Sequence, residues 1–384
     1  MNEKVKITVF RGSHQIGGCC TVIEYKSSRI VIDIGMPLPG DEQKALELEG
    51  ITKGQTKCDA IFLTHYHGDH IGELPNTIEE IPIYASECTK EFIQAYKTHM
   101  GEYYVCNIDT NRICTINDGE QVSVGNFNIK AVRVDHSAAG ALMYYIEVGG
   151  KCILHTGDFR LHGKNREKMF SNILSLGNID LLITEGTTLS RNELEVWDEE
   201  SVRSRIELVM QQYKYCFVLA SASNIDRMQS ISDVVVRGKY FLMDDFQKEL
   251  LKIAMAYDDY KFKKMTTYGK NIEEKMKKQG FIMLIRESNS RIYEEYREKY
   301  PNKTCLIYSM WSGYLKYSGL KRLYELANNR RIIHSSGHVL LQDLKEFIEL
   351  VNPNKIAIIH TNMNGLDDLD DRLKNIEDGE PFYI

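Results

Sequence analysis

The stretch Leu63-Thr-His-Tyr-His-Gly-Asp-His-Ile-Gly72 sets three histidines and one aspartate within six residues. Histidine is scarce elsewhere, with 11 in 384 residues, so composition does not account for the cluster. It follows Asp59-Ala-Ile-Phe-Leu63, a nearly continuous apolar run of the kind that forms a strand buried on both faces. Side chains two apart on extended backbone project the same way, so His65 and His67 can grip one ion from one side. Asp69 and His70 stand where the chain turns away and can reach a second. Imidazole plus carboxylate suits zinc, or manganese where oxygen ligands weigh more.

Two ions need further ligands, and three other strand ends offer them. Val132-Arg-Val-Asp-His136 brings His136, Ile153-Leu-His-Thr-Gly-Asp158 brings Asp158, and Ile356-Ala-Ile-Ile-His360 brings His360. Loops at strand ends are where a rigid sheet gathers distant side chains. Two cations roughly 3.5–4 Å apart can clamp the attacking and departing oxygens of an in-line phosphoryl displacement, with hydroxide formed between them near neutral pH.

The bulk composition narrows the classes. An apolar fraction of 43% and a charged fraction of 27% are those of an ordinary globular protein. A net charge of −6 counts against a non-specific nucleic-acid coat protein, though not against an enzyme whose bound cations attract phosphate. The nine cysteines are odd in number and form no C-x-x-C, which suggests a reduced, cytoplasmic setting. Neither a signal core nor an apolar run of about 18 residues occurs, so no membrane association is expected.

The first third reads as short strands, at Val5–Phe10, Cys20–Tyr25, Arg29–Ile34, Ala60–Thr64, Phe127–Val134, Leu142–Glu147 and Lys151–His155, with a helix over Glu87–His99. From about Leu194 to Leu326 helices and strands alternate, as in a parallel α/β unit. Helices are predicted over Asp198–Tyr213, Asn224–Val236, Asp245–Tyr257 and Arg291–Glu298, with strands at Cys216–Ala220, Tyr240–Met243, Phe281–Ile285 and Thr304–Ser309. The Lys-rich segment Lys261–Lys278 reads as a solvated helix face, with a substrate-facing patch as the alternative. Strand pattern returns from Ile332, followed by a helix over Leu340–Val351 and a last buried strand, Ile356–Ile359.

Taken together, HxHxDH, His136, Asp158 in TGD and His360 resemble the metallo-β-lactamase fold. Gly12-Ser-His-Gln-Ile-Gly-Gly18, Val31-Ile-Asp-Ile-Gly35, Thr184-Glu-Gly-Thr187, Ala222-Ser-Asn-Ile-Asp-Arg227 and His334-Ser-Ser-Gly-His338 resemble its β-CASP nuclease branch, especially ribonuclease J. The resemblance implies an α/β fold, an αββα sandwich carrying an inserted α/β β-CASP domain. Its expected divisions are 1–193 for the first part of the metallo-β-lactamase domain, 194–328 for the insert and 329–384 for the returning part. Asp158 and His360 are 360 − 158 = 202 residues apart, which fits an insert between two ligands of one site.

Carried over position by position, the pattern implies one zinc held by His65, His67 and His136 and a second held by Asp69, His70 and His360. Asp158 bridges them with a hydroxide. Asp33 orients the HxHxDH loop, Glu185 is the family's acidic motif A, His338 its motif B and His360 its motif C. A histidine at motif C tilts the expected substrate toward RNA. The implied activity is hydrolysis of single-stranded RNA, endonucleolytic or 5′–3′ exonucleolytic, by attack of the bridging hydroxide. Asp69, His338 and Glu185 serve catalysis, with His338 stabilising charge or protonating the leaving oxygen and Glu185 holding its tautomer. Two Zn²⁺ per chain are expected, with Mn²⁺ as a substitute.

Phosphate contacts are expected from Ser223, Asn224 and Arg227 at one strand-to-helix turn, and from Ser335, Ser336 and Gly337 before the helix near Leu340. Ser223 or Asn224 is equally suited to capping a helix. Asp226 departs from the histidine common at its position, and Trp311 or Tyr314 can stack bases or fill a core. The chain ends 384 − 360 = 24 residues after His360, so dimerisation through the relatives' C-terminal domain is not expected, and any homo-oligomer would form without it. Rival readings are a single-strand DNA nuclease of the same branch, a small-molecule hydrolase of the same fold, and a non-catalytic RNA-binding subunit.

Overall fold

Short runs of β-branched residues build two sheets. The first contains β1 (Lys6–Arg11), β2 (Cys20–Tyr25), β3 (Ser28–Ile32), β4 (Ala60–Phe62), β5 (Ile83–Ala85), β6 (Ile113–Thr115) and, at its far edge beside β1, β19 (Pro381–Tyr383). The second contains β7 (Gln121–Val124), β8 (Phe127–Arg133), β9 (Leu142–Val148), β10 (Lys151–His155), β11 (Leu181–Glu185) and β18 (Ile356–Ile359). The computed structural model describes residues 3–101, 104–163, 165–190, 197–362 and 369–384.

One apolar core lies between these sheets. Ile7, Ile23, Ile30, Ile32 and Phe62 of the first meet Phe127, Ile129, Tyr144, Ile146, Ile153 and Ile183 of the second. Helix α1 (Gly68–Ile71) follows His67, α2 (Glu87–Met100) lies beside β6, and α3 (Arg166–Leu174) packs against β8 with α10 (Leu341–Val351) beside it. Ser86 caps α2 by accepting from Thr89 N at 3.1 Å. These layers form the unit 1–192 plus 338–384.

The catalytically suggestive side chains share one edge. β3 pairs parallel with β4, and β10, β11 and β18 are mutually parallel, so their carboxyl ends lie together within each sheet. Asp33, His65, Asp158, Glu185 and His360 all stand at such ends, where open α/β sheets place their ligands.

Residues 193–337 form the other unit. Its sheet runs β14 (Met265–Thr267), β13 (Tyr240–Met243), β15 (Phe281–Ile285), β12 (Tyr215–Leu219), β16 (Thr304–Tyr308) and β17 (Arg330–Ile332), parallel throughout. Alternation of apolar strands with α4 (Glu199–Gln212), α5 (Ile225–Asp233), α6 (Asp245–Tyr257), α7 (Glu273–Gln279), α8 (Arg291–Lys299) and α9 (Ser318–Leu326) builds its own core around Phe217, Phe281, Tyr293 and Leu306.

Several boundaries differ from the sequence expectation. β3 stops at Ile32 rather than Ile34, because Asp33 adopts φ 57 and turns the chain. The expected helix face over Lys261–Lys278 holds strand β14 and only then the short α7. The strand near Ile332 pairs with β16, so 329–337, assigned above to the returning segment, packs within the second unit. Among the described residues no helix is long and apolar enough to cross a membrane.

Candidate metal centre

Asp33 organises the loop after β4. Its Oδ1 accepts from Thr64 N at 2.8 Å, and its Oδ2 accepts from Thr64 Oγ1 at 2.8 Å and from His70 Nδ1 at 2.8 Å. The backbone joins in: Ile34 N donates to His70 O at 2.8 Å and Met36 N to Gly68 O at 3.1 Å. Gly35 is required by this approach, since a Cβ there would lie 1.7 Å from Asp69 O. The left-handed backbone at Asp33 and at His360 (φ 54) is uncommon outside glycine and is held by the surrounding structure.

The expected ligands converge. His65 Nε2 and His67 Nδ1 are 2.9 Å apart, and one ligand atom each of His65, His67 and His136 lie within 4.8 Å of one another. Asp158 stands among the rest: its Oδ2 is 3.2 Å from His70 Nε2, 3.9 Å from His65 Nε2 and 3.5 Å from His338 Nδ1, and its Oδ1 is 3.9 Å from His360 Nε2. His360 Nε2 lies 3.2 Å from Asp69 Oδ2. Most of the set is buried, while His67, Asp69 and His338 reach partly to solvent.

Four of the imidazoles, those of His65, His70, His360 and His338, are oriented through Nδ1. Thr64 Oγ1 has given its proton to Asp33, so it accepts from His65 Nδ1 at 3.1 Å. Thr187 Oγ1 likewise donates to His360 O at 3.3 Å and accepts from His360 Nδ1 at 2.7 Å. His338 Nδ1 donates to Glu185 Oε2 at 3.0 Å, and Glu185 Oε1 accepts from Phe159 N at 2.8 Å. The nitrogens left for a cation or a proton are therefore Nε2 of His65, His70, His360 and His338.

Electrostatics agree with ligation at His65, His67 and His136, while His70 and His360 would have to give up a proton to a metal. Burial holds His65 and His136 well below the ordinary histidine range and His67 down to about 4, which keeps them neutral, the form that binds metal. Burial opposes charge on His70 and His360 too, but Asp158, with Asp33 or Asp69, outweighs it and lifts both. Desolvation works against Asp158, yet His360 and His70 hold it well below the carboxylate norm. His70 Nε2, although 3.2 Å from Asp158 Oδ2, and Asp158 Oδ1 are buried without a well-aligned hydrogen bond, a costly arrangement that a cation would resolve. The residues present fit divalent metal ions.

Other expected residues fall elsewhere. Arg227 is a correction: its guanidinium is wholly buried, forms a two-pronged pair with Glu199 (3.1 and 2.9 Å) and donates to Ser309 Oγ at 2.6 Å and Ser335 Oγ at 3.1 Å. It braces the second unit and is not presented to a phosphate. Ser335 Oγ donates to Glu199 Oε1 at 3.0 Å, and Asn224 accepts from Arg227 N at 3.1 Å as the cap of α5. Ser223 Oγ is 2.6 Å from Ser221 Oγ, and Ser336 is buried. Asp226 is buried and accepts from Tyr260 OH. Trp311 and Tyr314 meet edge to face at 5.5 Å, half-buried. The sequence reading missed the tautomer-setting roles of Thr64 and Thr187; only the position of Thr187 in TEGT hinted at one.

Residues 28–215 match the family model described as "Beta-lactamase superfamily domain". The match takes in 188 of the chain's 384 residues and makes this stretch similar to that superfamily. Curated proteins similar to this chain include Ribonuclease J of Mycobacterium tuberculosis, 27% identical over 245 residues covering 60% of this chain and 43% of that protein. Ribonuclease J of Helicobacter pylori is 23% identical over 412 residues, covering 95% of this chain and 57% of that one. The chain thus spans about half the length of these relatives. A crystal structure of a protein of unknown function from Enterococcus faecalis V583 shares the fold with a TM-score of 0.76 at 20% identity, covering 99% of this chain and 100% of that one.

Proposed function

We propose that this protein is a two-metal ribonuclease, hydrolysing phosphodiester bonds of single-stranded RNA with zinc, or manganese in its place. The observation that carries the proposal is the convergence on one buried carboxylate, Asp158, of ligands from both sheets, with the His338–Glu185 pair at the rim. His65, His67 and His136 would hold one ion, Asp69, His70 and His360 the other, and Asp158 both. Bound there, divalent cations lower the pKa of water and offset the charge of a phosphodiester.

The chain's own residues supply the rest. Glu185 accepts from His338 Nδ1, so a protonated His338 presents Nε2–H to the substrate and can deliver that proton to the leaving oxygen or stabilise charge on a phosphoryl oxygen. Asp33 and Thr187 keep His70 and His360 from rotating, so no reorganisation is needed at each turnover. The names of the relatives support RNA over DNA, and the histidine at position 360 supports the same choice. Contact of a 5′ phosphate with Ser336 and the Gly337 N–H belongs to this proposal on the sequence alone.

The test presents end-labelled RNA and single-stranded DNA side by side with Zn²⁺ or Mn²⁺. RNA should be cleaved and the pattern of products reports internal or terminal cutting. Asp69→Ala with His70→Ala should abolish cleavage; persistence in that double variant would sink the assignment.

A further inference from the structure

We propose that Cys19 is a metal ligand whose thiolate completes the site of Asp69, His70 and His360 and biases it toward a soft cation such as zinc over manganese. The inference rests on the two-metal reading above and names a ligand beyond its set of seven. Cys19 Sγ and one nitrogen each of His70 and His360 lie within 4.8 Å of one another, the spacing of donors around a single ion, and all three residues are buried. His70 Nε2 is itself buried and, although 3.2 Å from Asp158 Oδ2, is not aligned for a hydrogen bond, an independent sign that this corner is shaped for a ligand. The thiol, too, has no hydrogen bond among the described residues.

The backbone fixes the sulfur there. Cys19 N donates to Asp69 O at 2.9 Å and Cys19 O accepts from Gly35 N at 2.9 Å, so the residue is tied to the loop that bears Asp69 and His70. A Cβ on Gly12 would sit 3.7 Å from Cys19 Sγ and 3.6 Å from His360 N, which sets the thiol beside His360 across a bare glycine. An inert core cysteine needs no such placement. Ligation breaks the S–H bond, forms a metal–sulfur bond and releases the proton to solvent, with no change of oxidation state. Thiolate is the softest donor in the set, whereas carboxylate and imidazole alone leave manganese competitive.

Cobalt substitution of the full chain tests this directly. Co²⁺ should give visible ligand-field bands together with a near-ultraviolet sulfur-to-cobalt charge-transfer band. Cys19→Ser should keep the visible bands and lose the near-ultraviolet one, whereas Cys20→Ala keeps both. A Cys114→Ser background removes the exposed thiol from consideration. X-ray absorption at the zinc edge of the unmodified protein should show a sulfur scatterer at about 2.3 Å. Competition should show the preference for zinc over manganese falling at least about tenfold in Cys19→Ser, a change of about 1.4 kcal/mol. Cobalt bound without the sulfur band, or a band that survives Cys19→Ser, overturns the ligand assignment and leaves the two-metal reading standing. Failure to take up cobalt at all overturns both.

Discussion

Asp33 Oδ2 accepts a hydrogen bond from His70 Nδ1 at 2.8 Å, while the same carboxylate takes both the amide and the hydroxyl of Thr64. One buried side chain thus sets the rotamer of a candidate ligand and the path of the loop that bears three others. Asp33→Asn should weaken metal binding by about 10–100-fold, read by chelator competition. Unchanged affinity would show that the loop holds its shape without the carboxylate.

Gly35 has no room for a methyl group. A Cβ there would meet Asp69 O at 1.7 Å, a backbone atom that cannot swing aside. Gly35→Ala should cost about 3 kcal/mol or more and lower metal content as well. Thermal unfolding and metal analysis of the same sample check both; a normal melting temperature would contradict the packing.

His338 is expected to act on the substrate rather than to hold metal. His338→Ala should lower kcat by about a hundredfold to ten-thousandfold with both ions retained. Its nitrogen is 3.5 Å from Asp158 and it falls within ligand spacing of Asp158, Glu185 and His360, so the metal count is decisive. Loss of an ion along with activity would recast His338 as a ligand.

Chelation should abolish cleavage, and added Zn²⁺ or Mn²⁺ should restore it. The bound ions should also raise the unfolding free energy, by about 2.7 kcal/mol per site at a hundred times the dissociation constant. Identical melting curves with and without metal would argue that the folded chain has no such site.

In the second unit, Glu199 neutralises the buried Arg227. Glu199→Ala should destabilise by about 3–5 kcal/mol, because it strands a desolvated guanidinium. A shift in Tm under one degree would show that the pair is relaxed by water.

What could be read in the sequence was what is local. The HxHxDH cluster announces itself because four donors share one loop, and Asp158 and His360 stand out because each closes an apolar run. Arg227 was misread because its partner Glu199 lies 28 residues away, and nothing in the hexapeptide around it says whether it faces water. Strands β5, β6 and β17 span three residues each, too short for any period to show. Cys19 was invisible for another reason: it directly precedes the apolar strand that Cys20 opens, where a small buried thiol is the ordinary expectation. Only the loop folded against it gives that sulfur a neighbour.

The separation of Asp158 from His360 also orders events in time. During synthesis the trio His65, His67 and His136 is complete some two hundred residues before His360 leaves the ribosome. On the proposed ligand sets, a nascent chain already holds the three histidines of the first site, whereas the second lacks His360 until β18 has docked beside β11. Cleaving power would be withheld from every partial chain, including one still attached to the message that encodes it.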